Sequence, residues 1–211
     1  MADNTKLSKG AENQGSQEAA PAKEKKFRIT LNAPITLIFA VLCLIATILL
    51  SVFGDSMMTV FSCYHTDMSV MTVVRFFTHA LGHAGWSHFI GNMAYILLLG
   101  PLLEEKYGSV CMIEIMALTA LATGLVNFFL FPDIAILGAS GIVFAFILLS
   151  SITGFKKGEI PLTFILVAVI YIGGQIYDGL TLDDNISNMS HIIGGIIGAF
   201  CGFFLQGAQK K

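Results

Sequence analysis

Charge is scarce in this chain. Only 12% of its 211 residues are charged, about half the share of a soluble domain. Hydrophobic residues make up 55%. A globule this apolar lacks the polar groups to cover itself, which excludes a water-soluble domain, a coiled coil and general disorder. Net charge is −2, so the basic footprint that a nucleic acid needs is also missing. Cysteine is limited to Cys43, Cys63, Cys111 and Cys201, at spacings that match neither a zinc site nor a disulfide framework. They read as small buried hydrophobes. No cleavable signal peptide is expected, because the first apolar run begins near Ala33, behind a polar tail, and is too long. What remains is a polytopic membrane protein.

Six apolar runs follow the tail, at about 33–53, 87–103, 110–131, 137–155, 160–177 and 189–205. Each approaches the roughly 17–25 residues of a spanning helix. Pro132 and Gly138 separate the third run from the fourth. The expected organisation is a disordered cytoplasmic tail over 1–32, a six-helix membrane domain over 33–205 and a short cytoplasmic tail over 206–211. The basic residues set its orientation. Six lie in the first 28 residues, and Lys106, Lys156, Lys157, Lys210 and Lys211 fall in segments on the same side. The opposite side holds Arg75 together with Asp55, Asp67, Asp133, Asp178, Asp183 and Asp184. This bias predicts both termini inside. The expected location is the bacterial inner (cell) membrane. The first outer loop, Gly54–Ser87, is long and carries Val70, Val73, Val74, Phe76 and Phe77, so it is expected to be structured and to lie in or on the outer leaflet. No internal repeat is visible, which disfavours an inverted-repeat transporter.

Polar side chains inside such a bundle are functional candidates by default. The second run carries His88 and Asn92, the fourth Ser140 and the sixth His191. Measured from each run's inner end, His88, Ser140 and His191 fall at one level, roughly 21–23 Å up, with Asn92 a turn deeper. A serine and a neutral histidine make a nucleophile and its general base. Ser140 opens a helix within Gly138-Ala139-Ser140-Gly141, where free N–H groups suit an oxyanion. Asn92 and His88 would add donors. No acidic residue shares the layer, so the expected site is a Ser–His dyad. Gly194, Gly198 and Gly202 form a small-residue row below His191, with Gly138, Gly141 and Ala145 on the fourth helix. Close packing of these two helices would bring Ser140 to His191.

The set resembles the rhomboid family of intramembrane serine proteases. Arg75 through His79, His83 and His88 to Asn92 is similar to that family's first-loop and second-helix signature. Gly100-x3-Glu104-x3-Gly108 resembles the inner end of the same helix, Gly138-Ala139-Ser140-Gly141 the nucleophile motif, and His191-x2-Gly194-x3-Gly198 the catalytic-histidine motif. The resemblance covers roughly 34–205. It implies an all-α, six-transmembrane-helix bundle and a Ser140–His191 dyad. It implies oxyanion donors from the Ser140 amide, His88 and Asn92, no metal or cofactor, and single-pass membrane proteins as substrates. Two positions depart from the family pattern. Val74-Arg75 stands where Trp-Arg is usual, and Phe144 where many members have a tyrosine that stacks on the histidine. Neither removes a reacting group.

Other readings follow from other residues. Arg75 is expected to anchor the first loop through carbonyls or lipid phosphate, and Glu104 to tie the second helix to a neighbouring loop or backbone. His79, His83 and His88 could form a metalloprotease site, but Ala80-Leu81 stands where the HExxH glutamate would be. A non-proteolytic, client-binding rhomboid relative and a proton or ion pathway through the polar layer are further alternatives.

Overall fold

The computed structural model describes residues 31–153, 159–181 and 185–208; at 178–181, 185–187 and 206–208 it describes the backbone alone. The predicted N-terminal tail up to residue 30, Lys156, Lys157, Asp183, Asp184, Lys210 and Lys211 lie outside the described residues, as does the side chain of Asp178. The described chain is helical: α1 (Pro34–Phe53), α2 (Asp55–Phe61), α3 (Val70–Thr78), α4 (Trp86–Tyr107), α5 (Ser109–Leu130), α6 (Ser140–Ile152), α7 (Leu162–Thr181) and α8 (Asn185–Ala208).

Four helices contain stretches long and apolar enough to cross a membrane: Pro34–Phe53, Trp86–Tyr107, Ser109–Leu130 and Asn188–Leu205. Ser140–Ile152 and Leu162–Tyr177 are shorter apolar helices. The expected fourth run, 137–155, is therefore cut at its front. Gly138 adopts φ +133°, in the region that side-chain-bearing residues avoid, so residues up to Ala139 form loop rather than helix. At 13 residues α6 is about 20 Å long, less than the roughly 30 Å of a bilayer core.

Helix α6 is the hub. Gly141, Ile142, Val143, Ala145 to Leu149 and Ile152 are all buried, as expected for a helix apolar on every side. It packs against α4, α5, α7 and, most extensively, α8. The α6–α8 seam is as close as small residues permit. A Cβ added at Gly194 would stand 2.0 Å from the carbonyl oxygen of Gly141, and one at Gly198 would stand 2.1 Å from that of Ala145.

The first loop carries two helices. In α3, Thr72, Arg75 and Phe76 are buried while Val70, Val73, Val74 and Phe77 are exposed. A soluble helix hides its apolar face; this one presents it outward, the arrangement suited to lipid. Ser69 caps α3 by accepting from the Thr72 N–H at 3.2 Å. Arg75 turns inward rather than to lipid. Its guanidinium lies 4.1 Å over the Tyr64 ring and donates to the Thr72 hydroxyl at 3.1 Å, which in turn donates to the Asp67 carbonyl. No carbonyl bond from Arg75 is present among the described residues.

At the other end of α4, Glu104 is 3% exposed and ties α1 down. Its carboxylate accepts from the N–H groups of Ile35 and Thr36 at 3.0 and 2.9 Å. The hydroxyls of Thr36 and Ser109 donate to it at 2.8 and 2.7 Å. All four cysteines are free thiols.

Candidate active site

A cavity of about 550 Å³ opens where α6 begins. His88 and Asn92 line it from α4, Ser140, Gly141 and Phe144 from α6, and His191 from α8. Four polar side chains expected to share a layer thus share one cavity. The helix-end ruler behind that expectation does not hold. Helix α6 stops at Ile152, while α4 runs on to Tyr107 and α8 to Ala208. It is packing, not equal distance to a common inner plane, that gathers these residues.

The segment before Ser140 is pinned to the first loop. Ile136 and Cys63 exchange both backbone hydrogen bonds at 2.9 Å, and the Gly138 N–H donates to the His79 carbonyl at 2.9 Å. The buried amide of Asn127 donates to the carbonyls of Cys63 and Ile134 at 3.0 and 2.9 Å. These bonds deliver the chain into α6 with Ser140 as its first residue. The N-cap, Ala139, offers no side-chain acceptor, so the leading N–H groups of α6 are left without a cap beside the cavity. The absent side chain of Gly138 also makes room for His88: a Cβ there would come within 2.7 Å of its ring.

Phe144 lies flat on His191, with ring centroids 4.3 Å apart and planes 3° from parallel. Its edge meets Tyr171 of α7 at 5.9 Å. The ring therefore stacks on the histidine without a hydroxyl. The Nδ1 atom of His191 is 2.5 Å from Oε1 of Gln175. Asn92 is 7% exposed, and its amide donates to the His88 carbonyl one turn earlier at 3.1 Å, leaving its second N–H for another acceptor.

His79 and His83 of the first loop are committed to the scaffold. His79 donates from Nε2 to the Ala120 carbonyl at 3.0 Å, and His83 from Nδ1 to the Leu81 carbonyl at 3.1 Å. Burial lowers the pKa of His79, and burial with the neighbouring His88 lowers that of His83 to about 4. Both are neutral at physiological pH. Among the described residues no group of three or more His, Cys, Asp or Glu is placed to hold a metal ion. Among the described residues no carboxylate lines the cavity.

Gln175 and Asn127 were not singled out in the sequence, although each is the one amide side chain within its apolar run. That isolation was the available signal. The partnership of Cys63 with Ile136 left no signal, because it is made by backbone groups.

The family model described as Rhomboid domain matches residues 70–208. Among curated proteins, the chain is 27% identical over 176 residues to Rhomboid protease GlpG of Yersinia enterocolitica serotype O:8. It is 25% identical to that of Serratia proteamaculans and 27% to that of Salmonella paratyphi A. Each match covers 81% of this chain and 62% of the relative's length. This likeness and the apolar helices identify an integral membrane protein. With the family model spanning α3 to α8, the chain belongs to the rhomboid family.

Proposed function

We propose that this protein is an intramembrane serine endopeptidase that cleaves the transmembrane segments of single-pass membrane proteins near the outer leaflet. Ser140 is its nucleophile and His191 its general base. The observation that carries this reading is the joint position of the two residues. Ser140 opens α6 into the cavity that His191 lines from α8, across a seam too tight for any side chain at Gly194.

The chemistry follows from the atoms present. The Ser140 hydroxyl attacks the scissile carbonyl and passes its proton to Nε2 of His191. Negative charge develops on the carbonyl oxygen. The uncapped N–H groups at the start of α6, the second N–H of Asn92 and the His88 ring are the donors available to it. Collapse of the tetrahedral intermediate expels the amine, which takes the proton back from His191. Water then attacks the acyl-serine as His191 accepts its proton. Collapse breaks the Ser140–acyl bond, releasing the acid while His191 returns the proton to the Ser140 oxygen. The stacked Phe144 holds the imidazole plane in place through both halves. No metal or cofactor enters this scheme.

The same reading assigns six spans, with α6 and α7 as the short ones, and both termini inside, as the lysine and arginine distribution requires. Ser140 then lies below the outer face, where the short α6 begins. The bacterial inner membrane is the location that fits the organisms of the relatives named above.

The test is cleavage of a model transmembrane substrate by purified protein, wild type against Ser140→Ala. Cleavage by the wild type alone, and labelling of the wild type alone by a fluorophosphonate, are expected. Equal cleavage by both would refute the assignment. Substrate capture without cleavage would favour a client-binding role instead.

A further inference from the structure

The site is described above as a pair, yet His191 has a third polar neighbour. Gln175 lies on α7, and its Oε1 is 2.5 Å from Nδ1 of His191. We infer that Gln175 is a positioning residue that fixes the tautomer and the ring direction of His191. The inference rests on the serine-protease reading for its kinetic consequence, but not for its structural one.

The argument is one of donor and acceptor types. A carbonyl oxygen of an amide can only accept a hydrogen bond. A neutral imidazole carries one N–H, so a bond to Oε1 places that hydrogen on Nδ1. The lone pair then resides on Nε2, the atom that must take the proton from Ser140. The other tautomer would set two lone pairs against each other at 2.5 Å and leave Nε2 unable to act as a base. Phe144 fixes the plane of the ring by stacking. Stacking alone allows the ring to turn within that plane, and the Gln175 bond removes this freedom. The two restraints are therefore complementary.

An amide in this place differs from a carboxylate. With Oε1 toward the ring it selects the tautomer without adding a charge beside His191. In an apolar surrounding an unpaired carboxylate is far more costly to bury than an amide that keeps a hydrogen bond. Gln175 thus supplies the orientation that an acidic third residue gives in a triad, and forgoes the charge stabilisation of the imidazolium. Next to it, Gly173 and Gly174 leave open space where side chains would stand.

The experiment uses the full chain in detergent micelles, labelled with ¹⁵N in its histidines. The signal of His191 is assigned by its loss in His191→Asn. In wild type it is expected to show the hydrogen on Nδ1. In Gln175→Leu, which keeps the size and removes the acceptor, a mixture of tautomers is expected. With the model transmembrane substrate, Gln175→Leu should lower kcat about tenfold, the worth of one neutral hydrogen bond, and leave KM within about twofold. Gln175→Glu keeps an acceptor oxygen and should restore the Nδ1 tautomer. A residue that only supports folding would lower thermal stability and leave tautomer and kcat alone. A wild-type His191 with its hydrogen on Nε2, or a Gln175→Leu kcat within twofold of wild type, overturns the inference. If Gln175→Leu does not fold, the wild-type tautomer and the Gln175→Glu spectrum decide. If the wild type neither cleaves nor takes the fluorophosphonate, the protease reading fails, and the tautomer alone then judges Gln175.

Discussion

Helices α1 and α6 both begin against α4, one at each of its ends, and their first turns are treated in opposite ways. Pro34 starts α1 and has no N–H to satisfy. The next two N–H groups, of Ile35 and Thr36, donate to the carboxylate of Glu104. The positive end of that helix is closed by an anion belonging to the protein. Helix α6 starts with Ser140, and its leading N–H groups receive no side-chain cap. They face a cavity lined by His88, Asn92 and His191. The same backbone geometry thus serves stability at one end of α4 and, in the proposed mechanism, holds a developing negative charge at the other. Uncapped groups at a buried helix start reduce stability, and the proposed mechanism gives those of α6 a use beside Ser140.

If that contrast is right, the two ends should separate in experiment. The largest effect is expected from Gly194→Val, which attacks the seam holding the open end together. Even a first added carbon would stand 2.0 Å from a backbone oxygen of α6, so the helices must part. Overpacking of this kind costs about 1–3 kcal/mol in stability. Displacing His191 from Ser140 should lower kcat/KM by at least about 10²-fold, measured on the model substrate. Activity within a few-fold of wild type would mean that this seam does not set the dyad.

Glu104→Ala should do the reverse. It removes an acceptor from two N–H groups and two hydroxyls in a buried place. A loss of roughly 3 kcal/mol in stability is expected, read as a lower Tm in micelles. The protein that remains folded should keep its kcat. An inactive variant of normal Tm would break the comparison, because it would place Glu104 in the chemistry.

Asn92→Ala tests the open end directly. Its one recorded side-chain bond is to the carbonyl of its own preceding turn, so stability should fall by only about 1 kcal/mol. Loss of an oxyanion donor should lower kcat about 10²-fold with KM little changed. A fall in KM affinity with kcat preserved would assign Asn92 to substrate binding instead.

The two ends of α4 also differed in how far they could be read from sequence. Glu104 is the first charge at the end of an apolar run, and a charge there needs partners, so its tie to a neighbouring backbone was legible. The small-residue rows on α6 and α8 likewise announced their close approach, because glycine every fourth residue has one main use in an apolar helix. The open end was legible only in its side chains. That Ser140 is the first residue of a 13-residue helix depends on Gly138, on the Ile136–Cys63 pairing and on the bond from Gly138 to His79. These are tertiary backbone contacts, and hydropathy cannot distinguish them from three more apolar helical residues. The early start of α8, at Asn185 rather than Met189, was hidden for a related reason: polar residues there continue the helix beyond its apolar stretch.

The smallest effect concerns the ring on His191. Phe144 and His191 stack with their planes 3° apart, and the phenyl ring has no hydroxyl with which to bond anything. Its contribution must therefore come from its shape and π surface. Such a pair is worth about 0.5–1.5 kcal/mol beyond the area it buries. Phe144→Leu keeps most of the bulk and loses the flat face, so kcat should drop roughly 2- to 10-fold, with Tm nearly unchanged. Phe144→Tyr restores the face and adds a hydroxyl toward a cavity with room for it, so its kcat should match wild type within about twofold. If the tyrosine variant were much faster, a hydroxyl would be a missing part of the site. If the leucine variant kept full kcat, the hydrogen bond from His191 to Gln175 would be enough to hold the ring, and the stack would be ordinary core packing.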